Sequence, residues 1–361
     1  QHRGWFQTAL ITALSLTGKA PFKTVVTHGF VVDGDGKKMS KRLNNYPDPI
    51  EMFDKYGADA VRYYLATSTV MRAEDFKFIE KEVDEVVKKV ILILYNVLSF
   101  YQMYAEDSVE PNTKSKNILD KWIISKTEKL TKEITDAYDN YDLNKATRPI
   151  AEFVNELSTW YLRRSRDRFK GDDEEDKQSA LSTLKFVLER LSLVMAPVIP
   201  FTSEHVWQEL GNKESVHLEE WPKAGKVDKK ILEQMDMVRQ IVETGLASRA
   251  ESGIKIRQPL SLAKVSGESV PEEYLELIKD ELNVKQVEFV KGENKVELDT
   301  KVTDELRIEG HLRELVRSIN AMRKKQGLPL NYGSTSLGYV ENILKMMFEQ
   351  PNESYEINPI I

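Results

Sequence analysis

From Glu80 onward the apolar residues fall at Val83, Val86, Val87, Val90, Ile91, Leu94, Val97, Leu98 and Tyr101. Steps of three and four keep side chains on one stripe of an α-helix, whereas a strand would need alternation, so this stretch predicts a long amphipathic helix. Similar spacing predicts further helices over 114–138, 143–169 and 178–193, the one over 143–169 perturbed near its start by Asn144–Arg148 and Pro149. The intervening segments have the length of bundle connections. Helices that are apolar on one stripe must bury it against one another, so the middle of the chain is expected to be a helical bundle.

The flanks obey other periods. Residues 4–17 carry Trp5, Phe6, Ala9, Leu10, Ala13, Leu14 and Leu16, a helix that Gly18 can stop. The β-branched run over 24–32 reads as a buried strand of a parallel sheet. Asp33-Gly34-Asp35-Gly36 then gives a tight, mobile turn, followed at once by Lys37, Lys38, Lys41 and Arg42. Cations at the mouth of an α/β strand suit a polyphosphate, which a flexible loop can grip in the transition state and then release. Asp48 and Pro49 are an N-cap and first-turn pair opening a helix with Ile50, Phe53 and Tyr56 as its apolar face; Gly57 ends it, and a second helix follows from Ala58 to about Thr67.

Beyond Trp221-Pro222 the pattern mixes: a helix over 230–250, an alternating strand over 254–260 confined to an edge by Pro259, a strand entered from Glu281 to Val290, and a helix over 311–326. In that last helix Leu312, Leu315, Val316 and Ile319 are expected inward and Arg313, Arg317, Arg323, Lys324 and Lys325 outward. Three domains are expected: 1–78, the later part of an α/β catalytic domain; 79–226, the bundle; and 227–361, a small α+β domain with a frayed tail. The fold class is mainly α. The simplest account of the opening Gln1-His2-Arg3-Gly4 is that the chain begins inside a domain whose earlier half lies elsewhere.

Inside the bundle one helix stands apart. Trp160-Tyr161-Leu162-Arg163-Arg164-Ser165-Arg166-Asp167-Arg168-Phe169-Lys170 interleaves aromatics with five cations. Arginine offers phosphate a planar bidentate donor pair and aromatic faces can stack bases, so RNA is one reading. The other is a helix C-terminus stabilised by its own cations and neutralised by the acidic run 172–176. The chain carries a net charge of −6, so any RNA contact must be made by such a local face. Cysteine is absent and the five histidines are scattered, which excludes disulfides and thiolate zinc and makes a protein-held metal unexpected. No apolar stretch is long enough to span a bilayer, so no membrane partner is expected; a cytoplasmic location and a monomeric state are.

Lys38-Met39-Ser40-Lys41-Arg42 resembles the Lys-Met-Ser-Lys-Ser loop of class I aminoacyl-tRNA synthetases, with Arg42 in place of the final serine. His28-Gly29-Phe30 before it, Asn45-Tyr46-Pro47-Asp48-Pro49 after it and Tyr56-Gly57-Ala58-Asp59 beyond come in that family's order. Gln1-His2-Arg3-Gly4-Trp5-Phe6, Lys255-Ile256-Arg257-Gln258-Pro259-Leu260 and Glu281-Leu282-Asn283-Val284-Lys285 narrow the resemblance, which runs over about residues 1–330, to the isoleucine members, and the Trp160–Phe169 helix is similar to one in their anticodon-binding domain. It implies a Rossmann-like catalytic remnant, a junction subdomain lying along the tRNA acceptor arm, an anticodon-binding bundle and a small junction domain. The implied activity is ATP-dependent activation of isoleucine and its transfer to tRNA(Ile).

The roles carried over are likewise the resemblance's. Lys38 and Lys41 would act catalytically on the β/γ-phosphates; His28, Gly29, Phe30, Lys38, Met39, Ser40, Lys41 and Arg42 would bind ATP, with Mg2+ arriving on the nucleotide. Gln1 and Trp5 would line the isoleucine–adenylate pocket, although Trp5 read without the family is simply a core aromatic. Trp160, Arg163, Arg164, Arg166 and Arg168 would touch tRNA. The segments around Trp207 and Trp221 read as structural. No His-Ile-Gly-His-like motif, editing insertion or Cys-rich module occurs in the sequence, so the chain alone is expected to be incomplete for catalysis. Two alternatives remain: a non-catalytic tRNA-binding module derived from such an enzyme, and a helical interaction protein.

Overall fold

The computed structural model describes residues 4–40, 42, 45–105, 109–292 and 295–325, with side chains as far as residue 318. The chain divides into two compact units, 1–235 and 236–361, each considered by itself.

The first unit opens with α1 (Trp5–Thr17), stopped by Gly18 in the left-handed conformation. The expected long strand shrinks to β1 (Val31–Val32), which pairs in parallel with β2 (Phe76–Lys77). Val25 and Val26 are 39% and 59% exposed. A β-branched run forms a strand only where its backbone finds partners, and among the described residues β2 supplies them for two residues alone. Between β1 and β2 lie α2 (Pro49–Tyr56), whose N-cap Asp48 accepts from the Ile50 amide, and α3 (Ala58–Thr67). The face of α2 is not the expected one. Met52 is buried, whereas Ile50 is 63% exposed, because α2 packs on α3 and Tyr64 through its other side.

Helices α4 (Glu80–Val86) and α5 (Leu92–Tyr104) form one continuous rod through a π-turn at Val87–Ile91. Asn117 caps α6 (Ile118–Asp139), which reverses into α7 (Leu143–Glu156), capped by Asp142. Pro149 sits in the second turn of α7 without breaking it, and the irregularity comes later, a π-turn at Leu157–Leu162 leading into α8 (Arg163–Lys170). Asp173 caps α9 (Glu174–Met195), and α10 (Pro200–Glu209) closes the bundle. Trp122, Ile123, Ile134, Leu157, Leu181 and Leu188 lie wholly inside. Trp207 and Trp221 do act structurally, each indole N–H held, by the Glu214 carbonyl and the Thr135 hydroxyl respectively.

α3 is tied firmly to the bundle. The Asp59 carboxylate accepts from the Thr202 amide at the start of α10, Arg62 donates to the carbonyls of Pro197 and Val198, and Tyr63 donates to the Thr147 carbonyl.

Helix α11 (Lys229–Glu251) leads into the second unit, a three-stranded sheet of order β4-β3-β5. Here β3 (Leu260–Ser266) pairs in parallel with β4 (Val284–Val290) and antiparallel with β5 (Lys295–Leu298); α12 (Glu272–Leu282) makes the crossover. The strand expected over 254–260 starts only at Leu260. Its preceding carbonyls are already used: Arg249, 2% exposed, donates to Lys255 and Gln258 as well as Leu282 and Asn283. With no carboxylate among those partners, burial lowers that guanidinium to about 10. On α13 (Asp304–Lys325), Leu312 and Leu315 are half-buried as expected, but Val316 is 51% exposed. Arg313 pairs with Glu309 and Arg317 with Glu314, a solvated face; Ile319, Arg323, Lys324 and Lys325 fall outside the described side chains.

Candidate nucleotide loop and RNA-facing helix

The loop after β1 is built around one carboxylate. Asp33 Oδ1 accepts from the Asp35 and Lys37 amides, and Oδ2 accepts from Asn45 Nδ2 at 2.6 Å. Asn45 Oδ1 in turn accepts from the Ser40 amide, and Lys38 forms an antiparallel bridge with Val32. The Asn45 hydrogen bond, ahead of the backbone ones, holds the Asp33 carboxyl below its usual value. The Asp33–Gly36 turn, expected to be mobile, is therefore pinned at both ends. An acceptor satisfied by three donors stabilises the closed turn and leaves the lysine side chains outside it.

Lys38 is exposed, with Nζ 4.5 Å from the centroid of the Phe30 ring, a cation–π geometry. Among the described residues it has no carboxylate partner. Phe30 is itself 53% exposed, so cation and ring form one open feature. Met39 and Ser40 are half-buried, the Met39 amide reaching the Val31 carbonyl, and Arg42 is exposed. Lys41 and Gln1 lie outside the described residues.

Gly29 departs from its expected part. Its N–H donates to the Val70 carbonyl at 2.8 Å, so that amide is spent inside the chain rather than offered to adenosine. A Cβ at Gly29 would sit 1.8 Å from the Glu74 carbonyl oxygen, so only glycine fits this approach of two backbones. Phe30 likewise spends its carbonyl on the Phe76 amide, and His28 Nδ1 faces the Gly29 carbonyl at 2.8 Å. Trp5 is 85% exposed and α1 buries none of its residues, so Trp5 is not a core aromatic among the described residues.

The arginine-rich helix divides in two. Trp160 is buried, its indole donating to Met235 Sδ at 3.3 Å, and has no face to offer a base. Arg168 is locked inward: its guanidinium reaches Asp120, fully buried, and Asp176 at 2.8–3.0 Å. Tyr161 donates to the same Asp120, and burial raises its phenol well above the ordinary range. These two are therefore withdrawn from the tRNA-facing set; the acidic run does neutralise part of the helix, through Asp176. Arg163 and Arg166 are exposed and Arg164 half-buried. The Arg166 guanidinium lies 5.9 Å from the Phe100 ring, which meets Tyr104 and Phe169 at 5.0 and 5.2 Å. Phe100 and Tyr104 stand outside the apolar stripe that the sequence shows ending at Tyr101, and both are half-buried; the adjacent Met103 is 69% exposed.

A cavity of about 530 Å³ opens between Lys114, Asn117, Asp173, Ser179 and Thr183, and another of about 450 Å³ between Phe186, Arg190, Trp207 and Trp221; neither borders the loop. Among the described residues no cluster of His, Cys, Asp or Glu is placed to hold a metal, and no helix is long and apolar enough to cross a membrane.

Two family models match. Residues 1–77 fit tRNA synthetases class I (I, L, M and V), and residues 120–264 fit the anticodon-binding domain of tRNA ligase. Isoleucine–tRNA ligase of Treponema pallidum (strain Nichols) is 38% identical over 358 residues, covering 91% of this chain and 32% of that protein. The enzyme of Chlamydia trachomatis serovar D is 42% identical over 305 residues, covering 80% and 29%. The chain thus spans about a third of the length of these curated relatives. The crystal structure of Agrobacterium radiobacter K84 agnB2 LeuRS with tRNA and LeuAMS superposes with a TM-score of 0.47 at 21% identity, over 62% of this chain and 27% of that one. By its relatives over most of its length and by both matched segments, the chain is a homologue of the isoleucine–tRNA ligases, joining a class I synthetase segment to an anticodon-binding domain.

Proposed function

We propose that this chain supplies the phosphate-gripping loop and the tRNA-binding bundle of an isoleucine–tRNA ligase. The observation that carries the reading is Lys38: an ammonium presented beside an exposed aromatic, with no carboxylate partner among the described residues, on a loop whose shape is set by Asp33 and Asn45. In the ligase reaction the isoleucine carboxylate attacks the α-phosphate of ATP, the bond to the bridging oxygen breaks, and pyrophosphate leaves as the aminoacyl adenylate forms. Lys38, with Lys41, would offset the negative charge growing on the β/γ-phosphates. The aminoacyl group then passes to tRNA(Ile). Mg2+ would arrive with ATP; no protein group is assigned to it.

Met39 and Ser40, both half-buried, would anchor the loop, and Arg42 would add a third cation to Lys38 and Lys41. Phe30 would contribute its face, and His28 its exposed ring, at the nucleotide's edge. Gln1 and Trp5 would line the isoleucine pocket, Trp5 from the uncovered face of α1. Arg163, Arg164 and Arg166, with Phe100 and Tyr104, form the surface that would meet tRNA. The domain reading of 1–78, 79–226 and 227–361 belongs to this proposal, as do a monomeric state and a cytoplasmic location.

The test is ATP–pyrophosphate exchange with isoleucine, run with the complete ligase and with Lys38→Ala in it. Removing a preorganised charge of this kind costs about 100-fold in rate at saturating substrate; unchanged turnover overturns the role. A second reading, a tRNA-binding module without catalysis, is favoured by the exposed arginines at the far end of the bundle, which need no loop. It predicts that the chain binds tRNA with steep salt dependence while MgATP changes nothing.

A further inference from the structure

The basic loop does not stand on a sheet of its own. Behind β1 runs the segment 67–76, where three hydrogen bonds that fix the loop's base end; a fourth, from the Phe78 amide to the Val32 carbonyl at 3.1 Å, follows just beyond. The Gly29 amide meets the Val70 carbonyl, the Phe30 amide meets Asp75 Oδ1 at 3.3 Å, and the Phe76 amide meets the Phe30 carbonyl at 2.8 Å. The segment is an awkward one: a 3-10 turn at Thr69–Arg72 followed by Ala73 at φ 60°, a left-handed alanine. Such a turn needs an external hold, because a non-glycine residue there costs conformational energy that the turn's own bonds must offset.

The hold comes from one side chain on α7. Asn144 is fully buried, and its Nδ2 donates to the Thr67 carbonyl at 2.7 Å and to the Ser68 carbonyl at 3.0 Å. These are the carbonyls of the last residue and the C-cap of α3, beyond the reach of the helix's own amides; apart from Asn144, the Ser68 carbonyl has only the long 3.4 Å bond from the Met71 amide. Arg148, one turn further along α7, adds Nε to the Thr67 carbonyl at 3.0 Å. With two carbonyls facing it, the carboxamide can only present its amino side. Its Oδ1 is correspondingly buried with no partner among the described residues. A leucine or methionine would fill that volume without an orphaned oxygen, so the polar group is there for its two donors.

We propose that Asn144 is a positioning residue for the basic loop: its carboxamide holds the 67–76 segment against which Gly29 and Phe30 are bonded, and so fixes where Lys38 is presented. This deepens the nucleotide-loop reading and rests on it for the loop's purpose; the geometry of the clamp does not depend on it. Gly29 explains why the hold must be exact. The backbones of Gly29 and Glu74 touch, so movement of residues 67–74 is passed to β1 by direct contact rather than through a compliant side chain.

The experiment is site-resolved amide hydrogen exchange on the chain by NMR, comparing the native protein with Asn144→Ala, Arg148→Ala and Thr147→Val. Thr147 is also fully buried on α7, but its hydroxyl bonds only within its own helix. In Asn144→Ala the Gly29, Phe76 and Phe78 amides should exchange about ten-fold faster, through loss of two buried hydrogen bonds that hold a local unit closed. The Gly29 amide proton should also move upfield as its bond to Val70 lengthens. Amides in the middle of α6 and α9 should keep their native rates, and Thr147→Val should leave Gly29 untouched. Arg148→Ala should act in the same direction by a smaller factor.

Native exchange at Gly29 and Phe76 in a folded Asn144→Ala protein overturns the proposal. So does equal acceleration of the loop base and the α9 core, which would mark Asn144 as a general stabiliser. If Asn144→Ala does not fold, Arg148→Ala is judged by the same two criteria. Neither readout involves nucleotide, so a chain that fails the pyrophosphate-exchange test leaves the clamp standing.

Discussion

Helices α1 and α9 are both rich in apolar residues, yet they meet opposite fates. Leu181, Leu184, Val187 and Leu188 on α9 are completely buried, whereas on α1 Trp5, Ile11 and Leu16 are 85%, 55% and 80% exposed. Intrinsic preference is similar in the two; what differs is what covers them. The bundle encloses its own core, and its helices stabilise one another by removing whole side chains from water. The loop region is held differently, by a handful of hydrogen bonds accepted by Asp33 and Asn45 and donated by Asn45, Gly29 and Asn144. One region is stabilised by area and the other by a few well-placed donors and acceptors, so perturbations of the two should differ in size and in reach.

The largest expected effect breaks the bundle's buried charge network. Arg168→Ala leaves Asp120, with no exposed surface, facing Tyr161 without its cation. Stranding a buried carboxylate in this way costs about 3–5 kcal/mol, read as a lower midpoint in urea unfolding. The loop's Lys38–Phe30 pair should not notice. Arg163→Ala, on the same helix but exposed, should leave stability within about 0.5 kcal/mol of native and instead weaken tRNA binding, reducing the salt slope. Unaltered tRNA affinity in Arg163→Ala would remove that residue from the proposed surface.

Nearly as large is the contrast between Phe153→Ala and Trp5→Ala. Phe153 is 2% exposed in the bundle, and its truncation costs about 3–5 kcal/mol through transfer and cavity terms. Trp5, larger but uncovered, should change the chain's stability by less than about 0.5 kcal/mol. Should Trp5→Ala destabilise the chain as much as Phe153→Ala, α1 is covered in solution and the contrast between the regions collapses.

The bundle was legible in the sequence because helical burial is periodic. A stripe such as Val83–Tyr101 announces both the helix and its inner face, whereas helix starts were less plain: Asp48 reads as a cap, but Asn117 and Asp173 begin α6 and α9 at 118 and 174 rather than at the expected 114 and 178. What could not be read was anything that depends on a partner far along the chain. Val25 and Val26 have strand composition and, among the described residues, no strand beside them. Trp160 and Arg168 look like an RNA-binding pair until Met235, Asp120 and Asp176 fold over them. Ile254–Leu260 alternates like a strand, but Arg249 takes its carbonyls first. The candidate loop could be proposed by motif at Lys38 and Ser40, yet its scaffold, with Asn45 on Asp33 and Asn144 on the segment behind Gly29, joins residues whose spacing carries no period at all.

The smallest effect is the sharpest test of the loop's construction. Asp33 is half-buried, and burial by itself would raise its carboxyl; its downward shift from the ordinary value of 3.8 comes first from Asn45 and then from the Lys37 amide. A carboxyl lowered in the folded loop favours the closed form while it is ionised. That contribution is complete above the unfolded value of 3.8 and is lost as pH falls below it, through the folded value. An NMR titration of the Asp33 carboxyl carbon should therefore give a midpoint below 3.8. Asn45→Ala should raise that midpoint toward 3.8 and speed exchange of the Ser40 amide, which loses its acceptor, at every pH. The bundle amides should titrate with neither. If Asn45→Ala leaves the Asp33 midpoint in place, the Asn45–Asp33 bond does not shape the loop, and the lysines are presented by the turn's backbone alone.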